Sequence, residues 1–328
     1  MDLSPKNLVT VLGALTALWT AAKLSSFLWL YIRPSSFHRY TKTKDGSPPW
    51  AFVTGASSGI GRSFALELAS KGFNVVIHAR NKSKLEAVEA ELHAKFPSCE
   101  VRCLIVDASA PSEWNFEHIA ASVSDVSIKV LINNVGATMP IGHEFDTLDS
   151  YTADELHASI STNAVFPMLL TAALMPNLLN NQPALILNVG SWCDNGFPLC
   201  PAYAPSKAFV RGSCVQLGLE MAFKKRDIEV LGLRLVQVTD TGTIFFPPSI
   251  MVPTPDVWVK TALARVGCGR PYVMPYFLHA LQEAPLDLMP AWMRKKAVLA
   301  LGSTLLGADP LGRLAAQAAG NETAKKKV

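Results

Sequence analysis

The sequence predicts an α/β fold: a doubly wound parallel sheet in a single domain, with a membrane helix at its N-terminus. From residue 50 onward, short apolar runs alternate with helix-length stretches of mixed polarity, which is typical of a parallel sheet covered on both faces. A glycine-rich turn stands between the first apolar run and the first helical stretch. Ahead of both, the chain is almost continuously apolar over the length that a bilayer requires.

The N-terminal segment, residues 1–33, is predicted to be a membrane anchor. Residues 8–32 are almost continuously apolar and are broken by Lys23. As a helix this run is about 37 Å long, which exceeds the roughly 30 Å of a bilayer core. A cleaved signal peptide fits less well, because the run is long and no cleavage site of small residues follows it. We expect a spanning helix, and Lys23 leaves open a helix that lies in the membrane interface.

Basic residues follow the anchor and close the chain. Residues 34–49 form a basic linker, and the basic side chains behind the apolar run are Arg33, His38, Arg39, Lys42 and Lys44. By the positive-inside rule they put the large domain in the cytosol. Lys325, Lys326 and Lys327 resemble the dilysine signal that returns membrane proteins to the endoplasmic reticulum, with a frayed basic tail as the alternative. The sequence therefore predicts the endoplasmic reticulum membrane, with a cytosolic domain.

Length, charge and cysteine content narrow the class of protein. The 328 residues fit one large domain with attachments, and a hydrophobic fraction of 49% suggests membrane contact. A net charge of +4, without a basic block in the folded part, argues against a nucleic-acid partner. The six cysteines lack metal-ligand spacing, so we predict no metal site and reduced, mostly packed thiols.

The first strand and the turn after it predict a dinucleotide site of the Rossmann type. An apolar run at residues 51–54 leads into a turn rich in glycine and serine, and then into a helix that reaches Lys71. Glycines allow the tight turn and let backbone N–H groups approach a pyrophosphate at the helix N-terminus. The residues predicted to bind the cofactor here are Gly55, Ser57, Ser58, Gly59, Ile60 and Gly61.

The ends of the next two strands indicate which dinucleotide binds. The second strand, residues 73–79, is followed directly by Arg80, at a point where an NAD enzyme usually carries an acid. Because an arginine accommodates the 2′-phosphate of NADP, the sequence predicts NADPH/NADP as the cofactor. The third strand, residues 101–106, ends at Asp107, where a carboxylate can meet the adenine amino group.

Two residues four positions apart predict the chemistry. Tyr203 and Lys207 share one face of a helix that begins near Ala202, because Pro205 is tolerated in a first turn. A tyrosine hydroxyl titrates about three pH units too high for an efficient acid, roughly 4 kcal/mol, and an ammonium about 4 Å away supplies energy of that order. The pair is a candidate proton donor to a carbonyl. For such a pair taken alone, the alternative is an ordinary tyrosine beside a solvated lysine.

Four motifs together resemble the short-chain dehydrogenase/reductase superfamily over residues 50–238. In chain order they are Thr54-Gly55-x-x-x-Gly59-x-Gly61, Asn133-Asn134-Val135-Gly136 after a strand at 128–132, Ser191 after a strand at 184–189, and Tyr203-x-x-x-Lys207. Within the superfamily, the chain is similar to the membrane-bound branch of very-long-chain 3-oxoacyl-CoA reductases and 17β-hydroxysteroid dehydrogenases. The features that it shares with this branch are the N-terminal anchor, the Asn-Asn-Val-Gly motif, Val252-Pro253-Thr254-Pro255 and the dilysine end.

The resemblance implies roles for individual residues. It implies that Tyr203 is the general acid/base, and that Lys207 lowers the pKa of Tyr203 and hydrogen-bonds the nicotinamide ribose. It implies that Ser191 positions the substrate carbonyl and stabilises its developing charge. The further cofactor contacts that it implies are Asn134, Val238 and Thr241.

Asn163 resembles the fourth catalytic member of the superfamily, which holds a water in the proton path. Pro167 lies four residues later in the same predicted helix and lacks the N–H that would bond the carbonyl of Asn163. That carbonyl is thereby left free for a water. A plain proline kink is the alternative.

The remaining segments are assigned around this core. We predict a dinucleotide-binding catalytic domain at residues 50–275, a substrate lid at 238–256, and an apolar cap with a basic tail at 276–328. The apolar lid, with Phe245 and Phe246, suits a lipid-like chain, and a packed surface loop or membrane patch is the alternative. The C-terminal helices face either the substrate or the membrane, or simply pack on the domain.

These inferences lead to an NADPH-dependent reductase of a ketone on a hydrophobic substrate, an acyl-CoA or a polycyclic lipid. A 3-oxoacyl-CoA of fatty-acid elongation is the expected substrate, and a steroid, terpenoid or polyketide ketone is the alternative. Gly190-Ser191-Trp192 and Gln237-Val238-Thr239 depart from the sequences common in the branch, which bears on the substrate more than on the chemistry. A membrane-bound nucleotide-binding scaffold is the alternative outside enzymes. The oligomeric state is open, a homo-oligomer included.

Overall fold

The fold is given by a computed structural model of the chain, which describes residues 4–137, 145–241 and 247–306. Two sequence predictions lie outside the described residues. One is the basic tail with Lys325, Lys326 and Lys327, and the other is the part of the lid that contains Phe245 and Phe246.

Seven parallel strands form one sheet, in the spatial order β3-β2-β1-β4-β5-β6-β7. The strands are β1 (Trp50–Thr54), β2 (Asn74–Ala79), β3 (Val101–Ile105), β4 (Ile128–Asn133), β5 (Ala184–Val189), β6 (Ile228–Leu233) and β7 (Tyr272–Val273). The strand order reverses between β1 and β4, and a crevice opens at the carboxyl ends of the strands at such a switch point. The predicted doubly wound parallel sheet is confirmed.

Helices cover both faces of the sheet. One face carries α2 (Gly59–Ser70), α3 (Lys82–Lys95) and α8 (Pro255–Ala264), and the other carries α4 (Phe116–Ala121), α6 (Phe166–Asn180) and α7 (Tyr203–Phe223). Successive residues of β1 point into opposite cores, since Ala51 and Val53 pack on the first face and Trp50 and Phe52 on the second. This is why the strands read as unbroken apolar runs in the sequence.

The N-terminal helix α1 (Pro5–Ile32) has 28 residues and is exposed along nearly all of its length. Two helical stretches of the described residues, Ala153–Asn180 and α1, are long and apolar enough to cross a membrane. In the most apolar 18 residues of Ala153–Asn180, 56% of the residues are buried, so this stretch belongs to the core. In the most apolar 18 residues of α1, 0% are buried. The last turn of α1 is fastened to the domain. The Tyr31 hydroxyl donates to the carbonyl of Met274 at 2.9 Å, and the Arg265 guanidinium donates to the carbonyls of Leu30 and Tyr31.

The predicted basic linker, residues 34–49, packs against the domain rather than forming a free tether. Phe37 and Tyr40 are buried in the core. Arg39 donates to both carboxylate oxygens of Asp227, at 2.7 and 2.9 Å. Part of the positive charge behind the anchor is therefore neutralised within the folded domain.

The C-terminal segment contributes two more helices, α9 (Phe277–Leu288) and α10 (Ala291–Leu306). Helix α9 buries His279, Ala280 and Glu283 on one face. Helix α10 exposes large apolar side chains, with Trp292 63% and Leu299 50% exposed. The segment predicted as a cap is joined to the catalytic domain through α9.

Candidate active site

The predicted site residues converge on one cleft of about 1320 Å³ at the carboxyl ends of the strands. Pockets for a single small ligand measure roughly 300–1,000 Å³, so this cleft has room for a dinucleotide and a second molecule. The predicted residues that line it are Gly55, Ser57, Ser58, Gly59, Ile60, Arg80, Asp107, Asn134, Ser191, Tyr203, Lys207, Val238 and Thr241. Gly61 and Asn163 lie behind this lining and support it.

The turn between β1 and α2 has the shape of a pyrophosphate cradle. Gly55 and Gly59 have φ angles of +65° and +52°, in the left-handed region that favours glycine. A Cβ at Gly61 would lie 2.1 Å from the carbonyl oxygen of Gly55, so only glycine lets α2 approach β1 this closely. The first backbone N–H groups of α2 have no partner within the helix, and this end of the helix lines the cleft. These residues fit the dinucleotide that the sequence predicts.

Thr54 and Asn134 hold the ends of β1 and β4 together behind this turn. The buried Thr54 hydroxyl accepts from the backbone N–H of Asn134 at 2.9 Å and of Val135 at 3.0 Å. The side-chain amide of Asn134 donates to the carbonyl of Thr54 at 3.0 Å. Asn134 therefore supports the glycine turn through hydrogen bonds. Thr54 is a further supporting residue, whose role was not predicted from the sequence.

Arg80 and Asp107 lie at the ends of the neighbouring strands β2 and β3. Nη1 of Arg80 is 3.8 Å from Oδ2 of Asp107, and the Arg80 side chain is 65% exposed. The other carboxylate oxygen of Asp107 accepts from the N–H and hydroxyl of Ser109, at 2.8 and 2.7 Å. Arg80 is exposed and has a single long ion pair among the described residues, with Asp107. Most of its five N–H donors can therefore bind an anion in the cleft.

Tyr203 and Lys207 lie in the first two turns of α7 and both line the cleft. Nζ of Lys207 is 5.6 Å from the centroid of the Tyr203 ring and donates to the carbonyl of Val189 at 3.0 Å. Burial lowers the pKa of Lys207 to about 8. Burial also raises the pKa of Tyr203, because removing the phenol from water opposes its ionisation. The lowering of this pKa by Lys207 stays a prediction.

Ser191 follows β5 and caps the short 3₁₀ turn Trp192–Asn195. Its hydroxyl oxygen accepts from the backbone N–H of Cys193 at 3.2 Å, and Ser191 and Tyr203 line the same cleft. Ser191 is buried at 6% exposure. The structure therefore brings together the two hydroxyl groups that the sequence assigned to the carbonyl site.

The residue before Ser191 is glycine because Tyr272 occupies the space that a side chain would need. A Cβ at Gly190 would lie 1.9 Å from the Tyr272 hydroxyl oxygen, and a Cβ at Gly232 would lie 2.0 Å from Cδ2 of the same ring. Gly232 and Tyr272 are paired across β6 and β7. Gly190, which departs from the sequences common in the branch, is thus explained by packing. The Tyr272 ring fills the space left by Gly190 and Gly232.

Asn163 lies in a π-helical turn, Ser161–Val165, between α5 (Ala153–Ile160) and α6. Its amide donates to the carbonyl of Ala137 at 2.7 Å and of Ser159 at 2.9 Å, and its Oδ1 accepts from the N–H of Ala137 at 3.3 Å. Single π-helical turns are frequent at functional sites. The side chain thus connects the helix to the segment after β4, and the helix has a π-helical turn just before Pro167, where a plain proline kink was the alternative.

Gly136 leaves room for the ends of the Asn163 and Lys207 side chains. A Cβ at Gly136 would lie 2.8 Å from Oδ1 of Asn163 and 3.1 Å from Nζ of Lys207. The glycine of the Asn-Asn-Val-Gly motif is therefore a requirement of space. The motif alone did not indicate this role for Gly136.

One wall of the cleft comes from the C-terminal helices. His279, Gln282, Glu283 and Leu286 line it from α9, and Leu301 and Leu305 continue it from α10. The spacing of the four α9 residues is that of one helical face. The sequence left open what this helix faces, and the structure puts one face against the cleft.

A dinucleotide cradle at the switch point of a doubly wound sheet, with a tyrosine, a lysine and a serine beside it, defines a nicotinamide-dependent oxidoreductase. Residues 49–243 match the short chain dehydrogenase family. The chain belongs to this family. It is an NADP-dependent oxidoreductase that acts on ketone or hydroxyl groups.

Two curated relatives of this chain carry the same name. This chain is 33% identical over 289 residues to a very-long-chain 3-oxoacyl-CoA reductase of Mycosarcoma maydis. The aligned region covers 84% of this chain and 81% of the relative. A protein of the same name from Pyricularia oryzae is 31% identical over 287 residues, or 85% of each chain. Among solved structures, a metagenomic short-chain oxidoreductase in complex with NADP is similar, with a TM-score of 0.56 and 26% identity over 70% of this chain and 96% of that chain.

Proposed function

We propose that this protein is a membrane-anchored, NADPH-dependent reductase of very-long-chain 3-oxoacyl-CoA in fatty-acid elongation. The observation that carries the proposal is the shape of the cleft. It runs from Ser191 and Tyr203 to an apolar wall formed by Leu286, Leu301 and Leu305. A polar reacting group and a long acyl chain match these two parts. The names of the relatives in Mycosarcoma maydis and Pyricularia oryzae agree with this assignment.

The residues around the glycine turn would hold the cofactor. The N-terminus of α2 would bind the pyrophosphate, Arg80 the 2′-phosphate and Asp107 the adenine amino group. Asn134 would support the turn, while Val238 and Thr241 would bound the nicotinamide end of the cleft. Bound NADPH supplies a hydride for the ketone carbon.

Tyr203 would donate the proton that converts the ketone oxygen to a hydroxyl. A phenol is protonated at neutral pH, which is the state that a proton donor needs. Ser191, which lines the same cleft as Tyr203, would donate to the same oxygen and stabilise its developing charge. The products then balance, since one hydride reaches carbon and one proton reaches oxygen.

Lys207 and Asn163 would return a proton to Tyr203. With a pKa of about 8, Lys207 carries its charge at neutral pH and releases its proton more readily than an ordinary lysine. The carbonyl of Asn163 lacks a donor from Pro167, and a water held there would connect Lys207 to solvent. Gly136 supports this proposal, because the ends of the Asn163 and Lys207 side chains both lie beside it.

The anchor would hold the cleft beside the bilayer of the endoplasmic reticulum, with the catalytic domain in the cytosol. Helix α1 is about 42 Å long, enough to span. Its last turns contact α9, since the ring centroids of Phe27 and Tyr31 lie 5.9 and 5.1 Å from that of Phe277. A long acyl chain could then pass between the membrane and the apolar wall without crossing water.

The test is NADPH oxidation by the full-length protein in membranes, with 3-oxoacyl-CoA esters of increasing chain length and with steroid and terpenoid ketones. We expect kcat/KM to rise with chain length, and Tyr203→Phe to lower kcat by about 10²- to 10⁴-fold while NADPH still binds. Rescue of a cell that lacks its elongation reductase would follow. Selective turnover of a polycyclic ketone would instead assign the protein to specialised biosynthesis. Wild-type turnover by Tyr203→Phe would refute the proposed chemistry.

A further inference from the structure

A buried ion network outside the proposed catalytic set joins α9 to the turn after Ser191. Arg234 directly follows β6, and its guanidinium donates to Oδ1 of Asp194 from Nε at 3.0 Å and from Nη2 at 2.6 Å. From Nη1 it also donates to Glu283. Arg234, Asp194 and Glu283 are 8%, 6% and 6% exposed. Because water reaches none of them freely, the three charges depend on one another for hydrogen bonds.

The Asp194 end of the network belongs to the turn that begins at Ser191. The backbone N–H of Asp194 donates to the carbonyl of Ser191 at 3.2 Å, and Arg234 also donates to the carbonyl of Trp192 at 3.3 Å. The same turn supplies the N–H of Cys193 that donates to the Ser191 hydroxyl. Arg234 therefore holds the backbone that sets the direction of that hydroxyl.

The Glu283 end belongs to a helix that is fastened on its other side as well. One turn earlier in α9, Nε2 of His279 lies 3.1 Å from the carbonyl of Met251. Just before α9, the Tyr276 hydroxyl donates to the carbonyl of Ile250 at 2.8 Å. Helix α9 is thus tied both to the described end of the predicted lid and, through Arg234, to the Ser191 turn.

We propose that Glu283 and Arg234 are positioning residues for Ser191. They act through Asp194 and hold the turn so that the Ser191 hydroxyl faces the carbonyl to be reduced. Since α9 also lines the cleft, the position of this helix and the direction of the hydroxyl are coupled. The inference rests on the proposed role of Ser191, and its test separates the two.

The test is a double-mutant cycle in the full-length protein in membranes. Glu283→Leu keeps the approximate size of the side chain and removes both acceptors. We expect it to lower kcat by about 10- to 100-fold, the loss typical of a misplaced catalytic group. In a Ser191→Ala background the same substitution should lower kcat by less than about twofold, because residues that act as a unit are not additive. NADPH affinity should stay unchanged in both backgrounds.

Two further variants control for the loss of a carboxylate and for folding. Asp287→Leu makes the same change one turn later in α9, at a side chain that is 56% exposed and 3.4 Å from Arg294, and it should keep wild-type kcat. Glu283→Gln keeps an acceptor for Arg234 and should recover most of the lost kcat. If Glu283→Leu does not fold, the cycle is run with Arg234→Lys, which keeps the charge but loses the fork of donors.

An equal fold-loss from Glu283→Leu in the wild-type and Ser191→Ala backgrounds would overturn the inference, because Glu283 would then act independently of Ser191. A drop in melting temperature at unchanged kcat would also overturn it, leaving only a structural role. If Ser191→Ala itself left kcat unchanged, the proposed function of Ser191 would fail instead.

Discussion

Adding one methyl group at Gly136 tests whether the placement of Lys207 and Asn163 matters to the reaction. In Gly136→Ala the new Cβ would lie 2.8 Å from Oδ1 of Asn163 and 3.1 Å from Nζ of Lys207. Non-bonded heavy atoms are most stable at about 3.5–4.0 Å, so Oδ1 of Asn163 must move away from the methyl group by at least about 0.7 Å, and Nζ of Lys207 by at least about 0.4 Å. Gly136 does not have a left-handed φ, so alanine is compatible with the backbone there.

The expected effect falls on turnover more than on stability. Both crowded atoms are ends of side chains, which yield without a backbone rearrangement, and such overpacking costs about 1–3 kcal/mol. A displacement of this size in the groups proposed to return the proton should lower kcat by about 10- to 100-fold. The change in NADPH affinity should be smaller than the change in kcat.

The assay is NADPH oxidation by the full-length protein in membranes, with thermal unfolding and NADPH binding measured alongside. Gly212→Ala is the matched control, because it adds the same methyl group to α7 at a position with no atom within 4 Å. It should keep wild-type kcat. A folded Gly136→Ala variant with wild-type kcat would mean that Lys207 and Asn163 need not be where the structure has them.

Two further predictions concern charge. Arg80→Ala should weaken NADPH binding by about 10- to 100-fold and leave NADH binding nearly unchanged, because Arg80 is proposed to bind the 2′-phosphate, which NADH lacks; equal losses for both cofactors in a fluorescence titration would contradict this. For Lys207, the ordinary pKa of 10.5 is lowered to about 8, so its ammonium is present below pH 8 and is lost above it. The kcat of ketone reduction should therefore fall by about tenfold per pH unit above 8. In Lys207→Arg, which keeps its charge, the pH profile should be flat in this range, at a lower kcat.

The dinucleotide half of the site was predictable from the sequence because its requirements are local. This half is built from consecutive residues, which are the end of a strand, a turn with two glycines at positive φ and the start of a helix. Its pattern can therefore be recognised in the sequence. Arg80 and Asp107 were predictable for a related reason, since parallel strands bring their carboxyl ends to one edge. The order of the strands across the sheet then decides only which of these ends are neighbours.

The effect of burial on the pKa of Tyr203 was not predictable from the sequence, because burial is a property of the tertiary structure. The spacing of Tyr203 and Lys207 reveals the attraction between a phenolate and an ammonium, but it does not reveal how much water both groups lose on folding. In the structure the loss of water is the larger effect on each of them.

By itself, the sequence determined the doubly wound sheet, the cofactor, the apolar N-terminal helix and the proposed Ser191, Tyr203 and Lys207, since each depends on residues close together in the chain or on strand ends. Only the tertiary structure decided that Tyr272 fills the space beside Gly190, that Arg234 joins Asp194 to Glu283, and that α9 lines the cleft. These contacts join residues far apart in the chain. No local pattern records them, because packing and hydrogen bonding select partners by position in space rather than by spacing in sequence.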